Sequence, residues 1–285
     1  MTENEKNRVE GGTLYLVGTP IGNLADISER AKKVLSEVSF VAAEDTRNTG
    51  KLLLCYGIKK ELVSYHEHNK RESGEKIVAR LLSGESCALV TDAGMPAISD
   101  PGEDLVALCA EAGIAVRIVP GACAAVSALA LSGLPTAKFS FEGFLPAKAG
   151  ERRARLDALK NEERTVIYYE APHKLKATLF DMCQAFGEGR RISLCRELTK
   201  INEDVMRTTL GGAVKYYGEH EPRGEYVLVV EGGTVKAENP LTSLSPSEHV
   251  EHYEREGNSR MTAIKLAAKD RGMTKSELYK LLHEE

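Results

Sequence analysis

Three short segments rich in Gly, Pro and Asp each follow directly on a run of apolar, β-prone residues. They read GTPIGN from Gly18, TDAGMPAISDPG from Thr91 and PGACA from Pro120. In an open α/β sheet the carboxyl ends of the strands share one edge, and ligands bind in the crevice outside it. Glycine lets backbone groups approach a ligand closely, and proline fixes the direction of a turn. The three segments together predict a ligand cradle; the alternative is that they are merely tight turns, because Gly and Pro occur in most loops.

Strand and helix patterns alternate along the first half of the chain. Such alternation predicts a largely parallel sheet. After about residue 136 the strands outnumber the helices, which predicts a mixed sheet. The strands predicted in the first half are 13–18, 39–43, 62–65, 87–91 and 115–119, and the helices are 28–38, 46–56, one ending at Leu82, 103–112 and 122–133.

The predicted organisation is an α/β fold of two domains followed by a small helical appendage. Residues 1–12 are polar and are predicted to be a disordered tail. Residues 13–135 form an N-terminal α/β domain with a parallel sheet, and residues 136–233 form a second α/β domain with a mixed sheet. Residues 234–285 begin as a polar linker and end in a pattern that resembles a helix-turn-helix.

Composition limits the class of protein. The 285 residues are 42% hydrophobic and 28% charged, which is typical of a globular protein with two sizeable cores. No apolar stretch approaches the roughly 18 residues that span a bilayer, and the polar N-terminus does not resemble a signal peptide. We therefore expect a cytoplasmic protein with no membrane partner. The net charge of −4 excludes a uniformly basic nucleic-acid coat, so any RNA contact must be local.

Several common sites are not supported by the sequence. The six cysteines are scattered without a Cys-x-x-Cys pair, as free thiols are in a reducing compartment. His66 and His68 have no third ligand, so no metal site is predicted. The chain has no Gly-x-Gly-x-x-Gly after a strand and no Gly-x4-Gly-Lys-Ser/Thr, which argues against the ordinary dinucleotide fold and against a nucleoside triphosphatase.

A series of longer motifs follows in order along nearly the whole chain from Thr13. Together they resemble the tetrapyrrole-methylase-like superfamily of S-adenosylmethionine-dependent methyltransferases, and within it the branch that methylates a cytidine 2'-hydroxyl of 16S rRNA. The resemblance implies a two-domain fold that is not of the Rossmann type, S-adenosylmethionine as the cofactor, 16S rRNA within the small ribosomal subunit as the partner, and a homodimer. The motifs include LVGTPIGNLADI from Leu16, AEDTR from Ala43, SYHEHN from Ser64, YYEAPHK from Tyr168, RELTK from Arg196 and GEYVLVVEG from Gly224.

The resemblance also implies a cofactor folded between the two domains and held mainly by strand-end loops. Met95 and Cys123 stand where the branch more often has Thr and Ser, so polar contacts there fall to backbone groups. By motif position, the expected cofactor-binding residues are Pro20, Ile21, Asp92, Gly94, Met95, Ile98, Cys123, Ala124, Tyr169, Leu210 and Gly224.

Methyl transfer to a ribose hydroxyl requires in-line approach and loss of the hydroxyl proton. Positioning can supply about 7 to 11 kcal/mol of the acceleration, and a general base adds about 10² to 10⁴ in rate. For each candidate carboxylate, helix capping or an ion pair is the alternative role. The candidates for the base are Glu170, Asp45 and Asp100, with Glu44 and His173 in the same motifs.

RNA binding is expected at strand-end loops and in the last helices. Arg47 and His66 lie just past predicted strands. Residues 259–283 carry six Lys or Arg against two Asp or Glu. A solvated helical face is the alternative explanation for such charge. The basic residues expected to contact RNA there are Lys265, Lys269, Arg271 and Lys275.

The leading hypothesis is therefore an S-adenosylmethionine-dependent rRNA 2'-O-methyltransferase. One alternative is a methyltransferase of a corrin or porphyrin precursor, which has no evident need for a basic appendage. The other is a non-catalytic RNA-binding protein on the same fold, which need not keep the loops at 92–102 and 120–124 intact.

Overall fold

A computed structural model describes residues 8–233 and 240–284 of the chain. The chain divides into one unit that ends at Gly232 and a second that begins at Gly233. The predictions for residues 1–7 of the tail and 234–239 of the linker lie outside the described residues. Within the described ranges, no helix has both the length and the apolar composition that crossing a membrane requires.

The first sheet has five strands, all parallel, in the order β3-β2-β4-β1-β5. β2 and β4 are buried along their whole length, as helices on both faces of a parallel sheet require. The predicted parallel sheet is confirmed. Its strands are β1 (Thr13–Val17), β2 (Phe40–Ala43), β3 (Glu61–Ser64), β4 (Cys87–Val90) and β5 (Ala115–Val119). The helices that accompany them are α1 (Glu29–Glu37), α2 (Thr46–Cys55), α3 (Lys70–Leu82), α4 (Gly102–Glu111) and α5 (Ala124–Ser132).

The second sheet is mixed, which confirms the second part of the fold prediction. Its order is β6-β7-β10-β8-β9, with β6 and β7 parallel and the other pairs antiparallel. Its strands are β6 (Phe139–Phe144), β7 (Thr165–Glu170), β8 (Arg191–Arg196), β9 (Asp204–Thr209) and β10 (Tyr226–Val230). Its helices are α6 (Ala149–Ala158), α7 (Pro172–Phe186) and α8 (Leu210–Glu219).

Helix α5 follows the last strand of the first sheet but packs on the second sheet. Ala125, Ala128 and Leu129 lie in one core cluster with Ile167 and Val227 of the second sheet. The small side chains of α5 allow this close approach. The helix thereby connects the carboxyl edge of the first sheet to one face of the second. The domain boundary between residues 135 and 136 stays a prediction.

Residues 8–12, the described end of the predicted tail, contact the first sheet and its helices. Val9 packs against the core beside β1. The backbone N–H of Glu10 donates to the Tyr15 hydroxyl at 2.8 Å, and its carboxylate lies 2.7 Å from Arg117. Residues 8–12 are therefore attached to the first sheet and its helices rather than free of them.

Over residues 240–284 the second unit contains three α-helices, and its helical character was predicted. They are α9 (Pro246–Arg255), α10 (Arg260–Asp270) and α11 (Lys275–Glu284). Ser245 and Glu248 form a capping box at the start of α9. The core of this unit is small and is made by Val250, Ala263, Ile264, Ala267, Ala268 and Leu278.

A buried ion pair joins α6 to α7. The Asp181 side chain is 2% exposed, and its Oδ2 lies 2.6 Å from a guanidinium nitrogen of buried Arg152. Arg153, which is 62% exposed, binds the other oxygen of Asp181 at 2.9 Å. Removing one partner of a buried pair leaves an uncompensated charge.

We expect Asp181→Ala to lower the free energy of unfolding by about 3 to 5 kcal/mol, because Arg152 then stays buried without its carboxylate. Arg153→Ala removes only the exposed partner and should cost less than about 1 kcal/mol. Urea unfolding followed by circular dichroism measures both values. Equal losses for the two variants would contradict the assignment of Arg152 and Asp181 as the stabilising pair.

Candidate functional site

A cavity of about 590 Å³ lies at the carboxyl edge of the first sheet and reaches the strand ends of the second. Ligand pockets commonly have about 300 to 1,000 Å³. Loops after β1, β2, β4 and β5 form one side of the cavity, and the ends of β7, β8 and the start of β10 form the other. The predicted strand-end loops are therefore brought together around one space.

Thr19 joins the loop after β1 to the loop after β4. Its backbone N–H donates to the Gly94 carbonyl at 2.9 Å, and the Gly94 N–H reaches the Thr19 carbonyl at 3.2 Å. The buried Thr19 hydroxyl lies 3.2 Å from the Thr91 carbonyl and accepts from Gly94 N–H at 3.1 Å. These bonds fix the position of Ile21 relative to Asp92 across the cavity.

Two glycines allow the loops after β1 and β5 to touch through their backbones. A Cβ on Gly18 would lie 2.7 Å from the Cα of Gly121, and a Cβ on Gly121 would lie 2.9 Å from the Cα of Gly18. The sulfur of Met95 accepts from the Gly121 N–H at 3.2 Å. Met95 thus joins the loop after β4 to the loop after β5.

Asp100 holds the long loop after β4. Its two carboxylate oxygens accept from the backbone N–H groups of Ala97, Ile98 and Gly102 at 2.8 to 3.2 Å. Ala97 and Ser99 have φ of +66° and +67°, in the left-handed region that disfavours side chains. The carboxylate is committed to loop structure, so Asp100 serves poorly as a base.

A second loop with the same strain lies opposite. Among the described residues, the other two non-glycine residues with positive φ are Glu197 and Thr199, just after β8. Each of the two strained loops contributes a positive-φ residue to the lining of the cavity: Ser99 from the first and Glu197 from the second. Backbone strain of this kind persists where the surrounding structure enforces it, and it clusters at functional sites.

Lys200 closes the second loop with two carboxylates. Its ammonium lies 2.8 Å from Glu197 and 2.9 Å from Glu225. The bond to Lys200 lowers the pKa of Glu197. Gly224, with φ of +77°, makes room for this group, because a Cβ there would lie 2.5 Å from the Glu197 side chain.

Aromatic side chains from the second sheet form the apolar wall. The Tyr169 ring meets Phe141 edge-on at 5.0 Å and lies 5.5 Å from Phe144. Burial raises the pKa of Tyr169 to about 12, so its hydroxyl stays protonated and can donate a hydrogen bond. Phe144, although largely exposed, lines the cavity.

Some of the predicted cofactor residues line the cavity and others do not. Pro20 lines a neighbouring groove, and Gly94 lies in the bridge to Thr19. Leu210 and Gly224 do not line the cavity: Leu210 is fully buried in the core on the other face of the second sheet, and Gly224 acts through Glu197. The predicted residues that line the cavity are Ile21, Asp92, Met95, Ile98, Cys123, Ala124 and Tyr169.

Residues that the sequence did not single out also line the cavity. Glu197 and Lys200 lie in the RELTK motif and Glu225 in the last motif, but neither motif indicates which side chain faces a ligand. The additional lining residues include Thr91, Ala93, Ser99, Phe144, Pro172, Glu197, Leu198, Lys200, Glu225 and Val227.

The remaining catalytic candidates are engaged in structural bonds. Glu170 lines the cavity but is buried, and it accepts from the Thr178 hydroxyl at 2.5 Å and the Ala171 N–H at 2.8 Å. Asp45 lies outside the cavity and caps α2 through the Arg47 N–H. The Arg47 guanidinium lowers the pKa of Asp45 to about 2. These bonds favour the capping and pairing roles for both carboxylates.

Two other acidic residues at the cavity are less committed. Glu44 accepts from the Thr91 hydroxyl at 3.0 Å, and exposed Asp92 accepts from the Asn48 amide at 3.0 Å. His173 is exposed and does not line the cavity. Over residues 8–233 and 240–284, no cluster of His, Cys, Asp and Glu could hold a metal ion.

The predicted RNA-binding residues differ in their surroundings. Arg47 is exposed, whereas His66 is half-buried and its Nδ1 has no hydrogen-bond partner. Arg271 is not a free cation: its guanidinium donates to Nδ1 of buried His249 at 3.1 Å and to the Leu244 carbonyl. The three predicted lysines of the second unit are exposed, and they are Lys265, Lys269 and Lys275.

Comparison with known families decides the class of the chain. The sequence model of the family described as Tetrapyrrole (Corrin/Porphyrin) Methylases matches residues 13–214. The chain belongs to this family. Its cofactor is accordingly S-adenosylmethionine, and the chain is a methyltransferase.

Relatives match over a longer range than the family model. The chain is 49% identical to the ribosomal RNA small subunit methyltransferase I of Halalkalibacterium halodurans, over 99% of each chain. It is 44% identical to the protein of that name from Escherichia coli O157:H7, over 96% of each chain. A crystal structure of uroporphyrin-III C-methyl transferase from Thermus thermophilus, complexed with S-adenyl homocysteine, aligns with a TM-score of 0.55 at 17% identity, over 77% of this chain and 97% of that one. This last likeness confirms the fold.

We expect Gly121→Ala to weaken S-adenosylmethionine binding at least about tenfold, which corresponds to about 1.4 kcal/mol. The added Cβ meets the Gly18 backbone, which cannot rotate away, so the loops after β1 and β5 must separate. Isothermal calorimetry measures the affinity. Gly218→Ala is the matched control, because nothing lies within 4 Å of a Cβ there. Unchanged affinity in Gly121→Ala would show that the loop contact does not shape the cavity.

Proposed function

We propose that the chain transfers a methyl group from S-adenosylmethionine to the 2'-hydroxyl of a cytidine in 16S rRNA of the small ribosomal subunit. The observation that carries the proposal is the extent of the similarity to the relatives. The match to the Halalkalibacterium halodurans protein, named for the small-subunit RNA, covers 99% of this chain. It therefore includes the helical unit that lies beyond the family match at 13–214.

The residues of the cavity fit the cofactor. Aromatic and aliphatic side chains such as Tyr169 and Ile21 suit an adenine ring, and the Glu44 and Asp92 carboxylates suit the cationic amino and sulfonium groups. When bound, S-adenosylmethionine supplies the methyl group. The strand-end loops, fixed by Thr19 and Asp100, would hold both reactants in place.

Positioning is the main catalytic contribution that these residues support. Glu170, Asp45 and Asp100 each direct their carboxylates to structural partners, which leaves them few free lone pairs. Holding a ribose hydroxyl in line with a methyl donor can account for about 7 to 11 kcal/mol of the barrier without a base. A strongly basic residue is therefore not required by the geometry.

Two further properties belong to this proposal. We propose a homodimer on the strength of the family resemblance, and a cytoplasmic location because the substrate is the ribosome. Sedimentation at micromolar concentration tests the first, and a monomer there would count against it.

Methylation of a corrin or porphyrin precursor is the second candidate. It is favoured by the family description and by the structural likeness to a uroporphyrin-III C-methyl transferase. The two candidates are separated by offering the purified chain each substrate with labelled S-adenosylmethionine. Label in small ribosomal subunits, mapped by mass spectrometry to a 2'-O-methylcytidine, supports the first. Label in uroporphyrinogen alone supports the second.

We expect Asp92→Ala to lower the affinity for S-adenosylmethionine by roughly 10- to 150-fold, the effect of losing a charge-assisted contact of about 1.5 to 3 kcal/mol. Asp92 is exposed at the cavity with a single bond, so its loss should leave the fold intact. Calorimetry and a thermal melt measure the two effects. Asp157→Ala, on the surface of α6, is the control. An unaltered affinity in Asp92→Ala would remove that residue from the cofactor site.

Neutralising Lys265, Lys269 and Lys275 together should weaken binding to ribosomal RNA while the cofactor affinity persists. Each lost phosphate contact lowers the slope of log affinity on log salt by about 0.7 to 0.9. Arg271→Ala should act differently, because it removes the bonds to His249 and Leu244 and loosens the second unit. Hydrogen exchange of α9 and α10 detects that loosening. If the triple variant kept full RNA affinity and the same salt slope, the three lysines would be solvated side chains that do not contact RNA.

A further inference from the structure

A groove of about 320 Å³ adjoins the cofactor cavity. The two spaces share Thr91 and Asp92, which lie at their junction. The loop after β1 forms one wall of the groove and helix α2 forms the other. The lining residues that bear on its chemistry are Leu24, Asn48, Lys51, Leu52 and Cys55.

One face of α2 is directed at this groove. Asn48, Lys51, Leu52 and Cys55 recur at intervals of three and four residues, which places them on one side of the helix. Arg47 lies one turn before Lys51 on the same helix. The bond to Asp45 raises the pKa of Arg47, and so, to a smaller extent, does the charge of Asp92. Arg47 itself lines neither the groove nor the cavity.

The wall formed by the loop after β1 is apolar and held in place. Leu24 is 50% exposed, although it lies in a groove rather than on a flat surface. Its carbonyl accepts from the Tyr56 hydroxyl at 2.7 Å, which ties the loop to the end of α2. Leu52 lines the groove from the helix. The groove thus presents two aliphatic side chains, one from each wall.

Some polar groups of the groove have a hydrogen-bond partner in the protein and others are available to a ligand. Lys51 is exposed and has no carboxylate partner among the residues that the structure describes. The Asn48 amide nitrogen donates to Asp92, which leaves the amide oxygen as an acceptor. Over the described residues the groove therefore offers a cation suited to a phosphate, an acceptor suited to a base edge and two aliphatic side chains suited to a base surface.

We propose that this groove holds a nucleotide of the RNA substrate next to the methyl-transfer cavity. Lys51 contacts its phosphate, Leu24 and Leu52 contact its base, and the Asn48 oxygen accepts from a base amino group. The assignment rests on the proposed function, because the strand must deliver its 2'-hydroxyl through the junction at Thr91 and Asp92. It adds an RNA contact surface on the first unit, separate from the lysines of the second.

Lys51→Ala tests the phosphate contact, with small ribosomal subunits from cells that lack the gene as the substrate. We expect KM for the subunits to rise about tenfold or more, since a charge-assisted bond is lost. The salt slope of RNA binding should fall by about 0.7 to 0.9, and the S-adenosylmethionine affinity should stay unchanged. Lys59→Ala is the matched control: it removes an exposed lysine just beyond α2 that lines neither space, and it should alter none of the three.

Cys55 provides a second readout that needs no substitution. Its thiol is exposed and lines the groove. Small ribosomal subunits should slow its alkylation by iodoacetamide, followed by peptide mass spectrometry, whereas S-adenosylmethionine alone should not. If Cys55 is not protected and the KM of Lys51→Ala is unchanged, the groove assignment is wrong. The proposed function still holds in that case, provided that the wild-type protein methylates the subunits. Absence of wild-type RNA methylation overturns both.

Discussion

The backbone contact between Gly18 and Gly121 is the constraint on which the candidate site depends. Neither residue has a Cβ, so the loops after β1 and β5 meet at a distance that any side chain would prevent. Helix α5 begins three residues after Gly121 and packs on the second sheet. The close contact of the loops therefore also sets where the second sheet lies against the carboxyl edge of the first. The cavity is the space left between them, and its shape follows from a glycine pair rather than from a ligand-binding side chain.

The acidic residues of the motifs serve mainly to build the loops. Asp100 satisfies three backbone N–H groups in a loop that contains two left-handed non-glycine residues, and Asp45 caps α2. Fixing such backbone costs of order 1 to 3 kcal/mol per strained residue, which a network of charge-assisted bonds offsets. This use of carboxylates agrees with a reaction that gains most of its acceleration from orientation. A rigid cradle, rather than a tuned acid or base, is what the described geometry provides.

The sequence predicts the sheets and the strand-end loops well, because periodicity and Gly-Pro punctuation are local signals. It places Asp92 and Ala124 at one edge for the same reason. Leu210 was misplaced, since a residue that opens a helix after a strand has no local mark of which face of the sheet covers it. Glu197 was missed because positive φ at a residue other than glycine leaves no trace in the sequence. Arg271 was counted as a free charge, but its bond to His249 joins positions 22 residues apart.

Local placement of charge explains how a chain with net charge −4 can meet RNA. Most of its lysines and arginines on the first unit are paired with carboxylates, as Arg80 is with Glu61 and Glu85. A carboxylate beside a cation repels a phosphate and competes with it for that cation. A cation without an acidic partner among the described residues, such as Lys51, has no such competitor. The number of basic residues is therefore a poor guide to an RNA-binding surface. The positions of basic residues that have no acidic partner and lie beside the cavity are a better guide.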